Sequence, residues 1–235
     1  MVVLVHGSMD RRAAWARVSR RLGDGWRIVT YDRRGYSRAA DDPGPFDVAH
    51  NVADLVAVIE RFADDPVVVV GHSFGGVVAL ACSARRPDLI RAAAVYEPPQ
   101  SWNDWWPGNT GGAVAVARAD RPEDAAEAFM RRVVGDAVWE GLPERTKSAR
   151  RAEGRALVGE LTDIRRARPF DASQIPHRVL VARGERASQH QVRGTSELAG
   201  SLGTSPVIIA GAGHNAHASH PTEFANLVIQ PLRET

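Results

Sequence analysis

The chain has one cysteine, Cys82, in 235 residues. That excludes an internal disulfide and any metal site built on several thiolates, and it fits a reducing compartment. Lysine is as rare: of the 30 Lys and Arg residues, only Lys147 is a lysine. The formal net charge is only +2, and the arginine pairs (Arg11-Arg12, Arg33-Arg34, Arg85-Arg86, Arg131-Arg132, Arg165-Arg166) are spread out and interleaved with acids. A nucleic-acid partner would call for a basic face and a recognisable module, and neither is present. No apolar run approaches the ~18 residues of a membrane-spanning helix. The start, Met1-Val2-Val3-Leu4-Val5-His6, lacks the basic segment and the long apolar stretch of a secretion signal. These absences imply a cytoplasmic protein with neither a membrane nor a nucleic-acid partner.

What is present is ordinary globular composition, 44% hydrophobic and 25% charged. A chain of this length buries roughly 70–75% of its unfolded surface, so its core needs no staple. Six short apolar, largely β-branched runs punctuate it: Val2–Val5, Ile28–Tyr31, Val67–Val70, Ala92–Tyr96, Val179–Ala182 and Val207–Ala210. Such runs suit strands covered on both faces. Between most of them lie helical patterns. In Asp47–Phe62, Leu55, Val58, Ile59 and Phe62 fall at i, i+3, i+4 and i+7 on one face. Gly76–Ala84 is a small-residue helix stopping before Pro87, and Glu223–Leu232 is expected to close the chain as a helix. Strands alternating with helices predict an α/β fold with a parallel sheet.

The alternation breaks between Pro98 and Ile175. Here Asp120-Arg121-Pro122-Glu123 resembles an N-cap with proline in the first turn, followed by the stripe Ala126, Phe129, Met130, Val133 and Ala137. A polar helix is expected from Glu144 to about Arg166. Residues 98–175 are therefore expected to form a helical cap inserted in a single domain spanning 1–235 and lying over one end of the sheet; the alternative is a pair of ordinary crossover helices, for which the stretch is long.

The chemistry concentrates after the Val67–Val70 run, in Gly71-His72-Ser73-Phe74-Gly75-Gly76. This is G-x-S-x-G between a strand and a helix. A sharp turn there projects the Ser73 hydroxyl at a helix N-terminus, where backbone N–H groups favour an anion. A bare pentapeptide leaves open a glycine-rich turn that only packs helix on strand; the strand–turn–helix setting favours a nucleophile. A phosphate loop would require G-x-x-x-x-G-K-[ST], which is absent.

With Leu4-Val5-His6-Gly7 after the first strand, Tyr31-Asp32-Arg33-Arg34-Gly35-Tyr36-Ser37 after the second, and Gly211-Ala212-Gly213-His214 after the last, the chain resembles the α/β-hydrolase fold family over nearly its whole length. The resemblance implies a three-layer fold, a six-stranded parallel sheet with a helical cap, and a Ser–acid–His triad. It also implies two further strands, one antiparallel, ahead of the His-Gly strand. This chain starts at that strand, so a wholly parallel sheet with an inner first strand is expected. In this frame His214 is the base, and His217 and His220 are loop-stabilising or surface residues. His6 and His72 are hydrogen-bonding neighbours of the active-site turns.

The acid departs from the family pattern. Its usual place, three residues after the glycine ending the penultimate strand, holds Ala187, in Gly184-Glu185-Arg186-Ala187. A minority of relatives carry it after the strand that follows the elbow helix, where this chain has Tyr96-Glu97-Pro98-Pro99. Glu97 is the expected acid, with Glu185 as its rival. The resemblance assigns the oxyanion donors to the backbone N–H groups of Ser8 and Phe74 and lets Met9 line the pocket. Trp102 and Trp105 offer an aromatic wall for an apolar substrate group, or else they pack the cap.

A serine nucleophile implies acyl transfer through an acyl-enzyme, with no metal and no cofactor. A small, fairly apolar carboxylic ester is the expected substrate, with a lactone or thioester close behind. The alternative is a non-hydrolytic member of the fold: a ligand-binding or auxiliary protein, a lyase or a cofactor-free oxygenase.

Overall fold

The computed structural model describes residues 1–234. Among them are six strands: β1 (Val2–Val5), β2 (Ile28–Thr30), β3 (Val67–His72), β4 (Ile90–Tyr96), β5 (Arg178–Gly184) and β6 (Val207–Ile209). The helices that frame them are α1 (Ala16–Leu22), α2 (Val48–Phe62), α3 (Phe74–Arg85), α4 (Gly111–Val116), α5 (Pro122–Val134), α6 (Asp136–Glu140), α7 (Glu144–Ala152), α8 (Gly154–Arg166), α9 (Gln189–Ser201), α10 (Ala216–Ser219) and α11 (Pro221–Phe224). The chain divides into two compact units. One comprises 1–31, 52–99 and the chain from Pro169 onward; the other comprises 32–51 and 100–168.

The first unit holds the whole sheet, in the order β2-β1-β3-β4-β5-β6, with every pairing parallel and β1 inside. Its valine-rich strands are buried on both faces because side chains alternate across the pleat. Val2, Leu4, Val68 and Val70 join Trp15, Val18, Leu22, Phe224, Val228 and Ile229 in one core. The alternate residues Val3, Val5, Val67 and Val69 are equally buried. Full burial of each such side chain is worth roughly 1.5–3 kcal/mol, so the core alone accounts for a fold without staples. Cys82 belongs to this interior, and burial pushes its thiol up to about 12.

The strand order has a functional consequence. The chain leaves β1 toward β2 on one side and returns as β3 on the other, so it reverses between β1 and β3. Open α/β sheets bind ligands at the carboxyl ends of the two strands flanking such a reversal. The register pairs Val5 with Gly71 and His72 with Tyr96, which brings the ends of β1, β3 and β4 to one level.

The second unit is helical and carries a buried polar network. Arg33, fully buried, donates from Nη1 to Glu160 Oε2 at 2.8 Å and to Asn51 Oδ1 at 2.9 Å. The Tyr36 hydroxyl donates to Glu160 Oε1 at 2.6 Å. Burial first, and then the Glu160 charge, hold that phenol far above its ordinary value, so it stays a donor. Gly35 has φ +77°, and a Cβ there would strike Ala156 and Phe46. The insertion thus shares its unit with the 32–51 segment, which residues 98–175 taken alone leave out.

Two helical expectations need correction. The single helix from Glu144 to Arg166 is two, α7 and α8. The break comes at Glu153, whose buried carboxylate accepts from Arg150 at 2.6 Å and from the Ser37 N–H at 3.0 Å. Gly154 must follow, because any side chain there would meet the Pro122 carbonyl. The N-cap of α5 is Arg121 rather than Asp120, with no side-chain cap; Pro122 starts the helix, and Glu123 and Asp124 face its positive end. The closing segment is helical from Pro221 to Leu232 but changes pitch: α11 gives way to a π-helix over Ala225–Ile229 and a 3₁₀ turn containing Pro231, which has no N–H to extend a helix.

Candidate active site

The site is built in the first unit from the turns after β1, β3, β4, β5 and β6. The β3–α3 turn comes first. From Val67 to Ser83 every residue is buried except Ser73. Its backbone has φ +52° and ψ −123°, a conformation that costs of order 1–3 kcal/mol in a residue with a Cβ. Close approach holds the turn in shape. A Cβ on Gly71 would run into the Gly75 carbonyl, and one on Gly75 into the Val5 carbonyl, both rigid backbone. The Ser73 N–H is tied to the Tyr96 carbonyl at 2.9 Å, and its own carbonyl accepts from Gly76 at 2.8 Å to start α3.

Two other residues with side chains share the positive-φ region at these strand ends, Met9 (φ +55°) after β1 and Glu97 (φ +46°) after β4. Strain of this kind clusters at functional sites. Ser8, half-buried, and Met9, buried, lie on the turn that follows β1, next to β3 in the sheet.

Glu97 is buried, 2% exposed. Its backbone N–H is held by the Ala182 carbonyl at 3.0 Å. Its two carboxylate oxygens have separate partners: Oε1 accepts from the Gly184 N–H at 2.9 Å, and Oε2 meets His214 Nδ1 at 2.6 Å. A buried carboxylate is costly without partners, and here both oxygens are engaged. The 2.6 Å contact is at the short end of the charge-assisted range. It places the ring proton of His214 on Nδ1 and leaves Nε2 as the basic nitrogen. Glu185 is elsewhere: it is exposed, and it accepts from the Gly211 N–H at 2.8 Å, bracing the turn before His214. Ala187 closes the β5–α9 turn through its N–H to the Gly184 carbonyl.

His72, 3% exposed, supports the loop of His214. Its Nε2 lies 2.9 Å from the His214 carbonyl, and a carbonyl only accepts, so Nε2 carries the proton. The Tyr96 hydroxyl donates to the Gly213 carbonyl at 2.8 Å, fixing the same loop. Burial, followed by the neighbouring His217 and His214, holds the His72 imidazole well below its ordinary value near 6.5. This fixes the sign of a pH effect. Below about pH 6.5 the unfolded chain takes up a proton that the folded one refuses, so stability falls with acid, by at most about 1.4 kcal/mol per pH unit for this group. His177, lowered by burial, acts in the same direction. Urea midpoints are expected to be nearly level above about pH 7 and to drop from about pH 6.5 to 5; a flat or rising profile over that lower range contradicts the assignment.

Two neighbours were not legible as such. Gln191 lies with Nε2 at 2.9 Å from His214 Nδ1, an approach of two donors and no hydrogen bond while the Nδ1 proton is given to Glu97 Oε2 at 2.6 Å; its Oε1 accepts from Ser188 N–H at 3.0 Å and Oγ at 2.8 Å. The Ser188-x-x-Gln191 capping pattern was there to be read; its placement beside His214 was not. His217, expected as a loop or surface residue, is 2% exposed. It bonds Asp10 through Nε2 at 3.2 Å and packs against His72 in a tilted arrangement with ring centroids 4.3 Å apart. The surface alternative is thereby corrected: the α10 turn carries His217 inward against Trp15 and Phe224. Trp102 and Trp105 belong to the second unit, where Trp105 and Trp106 pack ring to ring at 5.7 Å.

A family profile described as "Alpha/beta hydrolase family" matches residues 2–227. Lipase LipV of Mycobacterium tuberculosis is 36% identical over 97 residues, 41% of this chain and 36% of the lipase. A putative carbamate hydrolase RutD of Caulobacter segnis is 37% identical over 92 residues, 38% of this chain and 34% of that protein. The chain thus spans about a third of the length of the curated relatives it matches. Among solved structures, a thermophilic esterase from Thermogutta terrifontis superposes with TM-score 0.77 at 19% identity, covering 99% of this chain and 88% of that one. MenH from S. aureus gives 0.76 at 18% identity, with 96% and 90% covered. At such identities the likeness is one of fold. The sheet order, the elbow after β3 and the profile match over nearly all of the sequence agree: the chain belongs to the alpha/beta hydrolase family.

Proposed function

We propose that the protein is a serine hydrolase acting on small, fairly apolar carboxylic esters, with Ser73 as nucleophile, His214 as general base and Glu97 as the orienting acid. The observation that carries this reading is the 2.6 Å contact between Glu97 and His214 Nδ1. It sets the tautomer that an acyl-transfer base requires.

The steps follow from that tautomer. His214 Nε2 takes the Ser73 hydroxyl proton as Oγ attacks the ester carbonyl. The backbone N–H groups of Phe74 and Ser8 receive the developing oxyanion, with Met9 bordering it. His214, now an imidazolium balanced by Glu97, returns the proton to the leaving alcohol, and the acyl group stays on Ser73. Water deprotonated by His214 then attacks the acyl-enzyme, releasing the acid and restoring the hydroxyl. Every catalytic group in this cycle belongs to the protein; water and the ester are the reactants. Lactones and thioesters present the same electrophilic carbonyl and are the neighbouring substrate classes. The name of the Mycobacterium tuberculosis lipase supports the ester, and that of the putative carbamate hydrolase supports a carbonyl centre as the point of attack.

The test is direct. A fluorophosphonate should add one phosphonyl group to Ser73, located by peptide mass spectrometry, and abolish turnover of a short-chain nitrophenyl ester in proportion to labelling. No adduct together with no turnover would overturn the reading and leave a non-hydrolytic member of the fold.

A further inference from the structure

Next to the candidate serine in the chain, His72 belongs to a second cluster that the hydrolytic cycle does not use. Asp10, His72 and His217 each present a ligand-type atom, and these three atoms lie within 4.8 Å of one another. They come from three turns of the first unit, after β1, at the end of β3 and in α10. Two buried imidazole nitrogens in this cluster, His72 Nδ1 and His217 Nδ1, have no hydrogen-bond partner. Both residues are at least 97% buried. An orphaned buried nitrogen is uncommon in folded proteins and calls for an occupant. His217 turns its other ring nitrogen, Nε2, to the Asp10 carboxylate, so His72 Nδ1 is the orphaned nitrogen available to an ion in this cluster.

We propose that Asp10, His72 and His217 bind one divalent transition-metal ion of the zinc type. Imidazole nitrogens with one carboxylate suit zinc, cobalt and nickel, whereas calcium and magnesium require oxygen ligands. The Asp10 Oδ2–His217 Nε2 separation, 3.2 Å, is long for a charge-assisted hydrogen bond. It is close to the ~3.4 Å between two ligand atoms held ~2.1 Å from a tetrahedral ion. His72 also has the outer partner that metal-bound histidines usually have: its Nε2–H donates to the His214 carbonyl, leaving Nδ1 as the lone-pair nitrogen. Asp10 is half-buried and gives the ion an approach from solvent. The widest ligand pair must close by about 1.4 Å to reach tetrahedral spacing. Three protein ligands leave a fourth position for water. The proposal stands apart from the hydrolase reading, since none of its ligands acts in the cycle.

The experiment titrates Co²⁺ into the chelator-treated full chain. One equivalent should bind, with the intense visible absorption of four-coordinate cobalt, and stoichiometric Zn²⁺ should displace it. Asp10→Asn and His217→Gln should weaken Zn²⁺ binding by more than the roughly 10–100-fold cost of losing an outer partner. The controls His50→Gln and His190→Gln, on α2 and α9 and outside the cluster, should leave it unchanged. Because His217 is buried, its variant could unfold, so the wild type supplies an independent measurement: Zn²⁺ should shift the imidazole ¹⁵N resonances of His72 and His217 and not those of His50. Absence of saturable binding, binding indifferent to Asp10→Asn, or shifts confined to surface histidines would each overturn the site.

Discussion

Ser73→Ala is expected to lower kcat for a short-chain nitrophenyl ester on the order of 10⁶-fold, about 8 kcal/mol of transition-state stabilisation. The hydroxyl is the only protein atom that bonds to the substrate in the proposed cycle, and alanine has nothing to replace it. A residue of roughly 10³–10⁴ over the uncatalysed reaction should persist, because backbone donors and binding act without the nucleophile. KM should change little, since the lost bond forms only after binding. The fold should tolerate the change. Alanine keeps the Cβ that the φ +52° backbone already accommodates, and the N–H bond to the Tyr96 carbonyl is unaffected. Single-turnover kinetics and a thermal scan together check this: a loss below tenfold at unchanged stability would remove Ser73 from the mechanism.

Glu97→Gln is the second large effect, expected at about 10⁴-fold in kcat, or about 5 kcal/mol. The size of the loss follows from which atom faces which. The Gly184 N–H takes one oxygen of Glu97, so glutamine keeps its carbonyl there and turns its NH₂ toward His214. An NH₂ donates, which forces Nδ1 to accept and moves the ring proton to Nε2. A histidine protonated at Nε2 cannot take the proton from serine. Glu185→Gln should leave turnover near wild type, because a glutamine oxygen still accepts from the Gly211 N–H. Loss in Glu185→Gln with full activity in Glu97→Gln would reverse the assignment of the acid. Fluorophosphonate labelling should slow in parallel with turnover in Glu97→Gln, since both need an activated serine.

These two outcomes bear on how the site could be read at all. The elbow was legible because its constraint is local: Gly71 and Gly75 are required by contacts within a few residues and with the adjacent strand, and the pattern carries them. Strands were legible because burial on both faces demands β-branched runs, whatever the neighbours. Helix ends in the insertion were not. Glu153 separates α7 from α8 with its carboxylate held by the Ser37 N–H, and Gly154 is required by the Pro122 carbonyl, so the cause of each lies in another segment. Asp10 and His217 meet across more than two hundred residues without any spacing to announce them.

The amino-acid sequence by itself determined the α/β alternation, the strand–elbow–helix around Ser73 and the histidine after the last strand. Each of these depends on nearest neighbours in the chain or on hydrophobicity alone. Only the tertiary structure decided between Glu97 and Glu185 as the partner of His214. Both follow strands and both are carboxylates, but strand register brings the end of β4 beneath the His214 loop and turns Glu185 back on Gly211. Register and strand order are properties of the assembled sheet, set by how side chains from distant segments fill its two faces. A carboxylate is useful to an imidazole only within hydrogen-bond reach, and that reach is a tertiary distance.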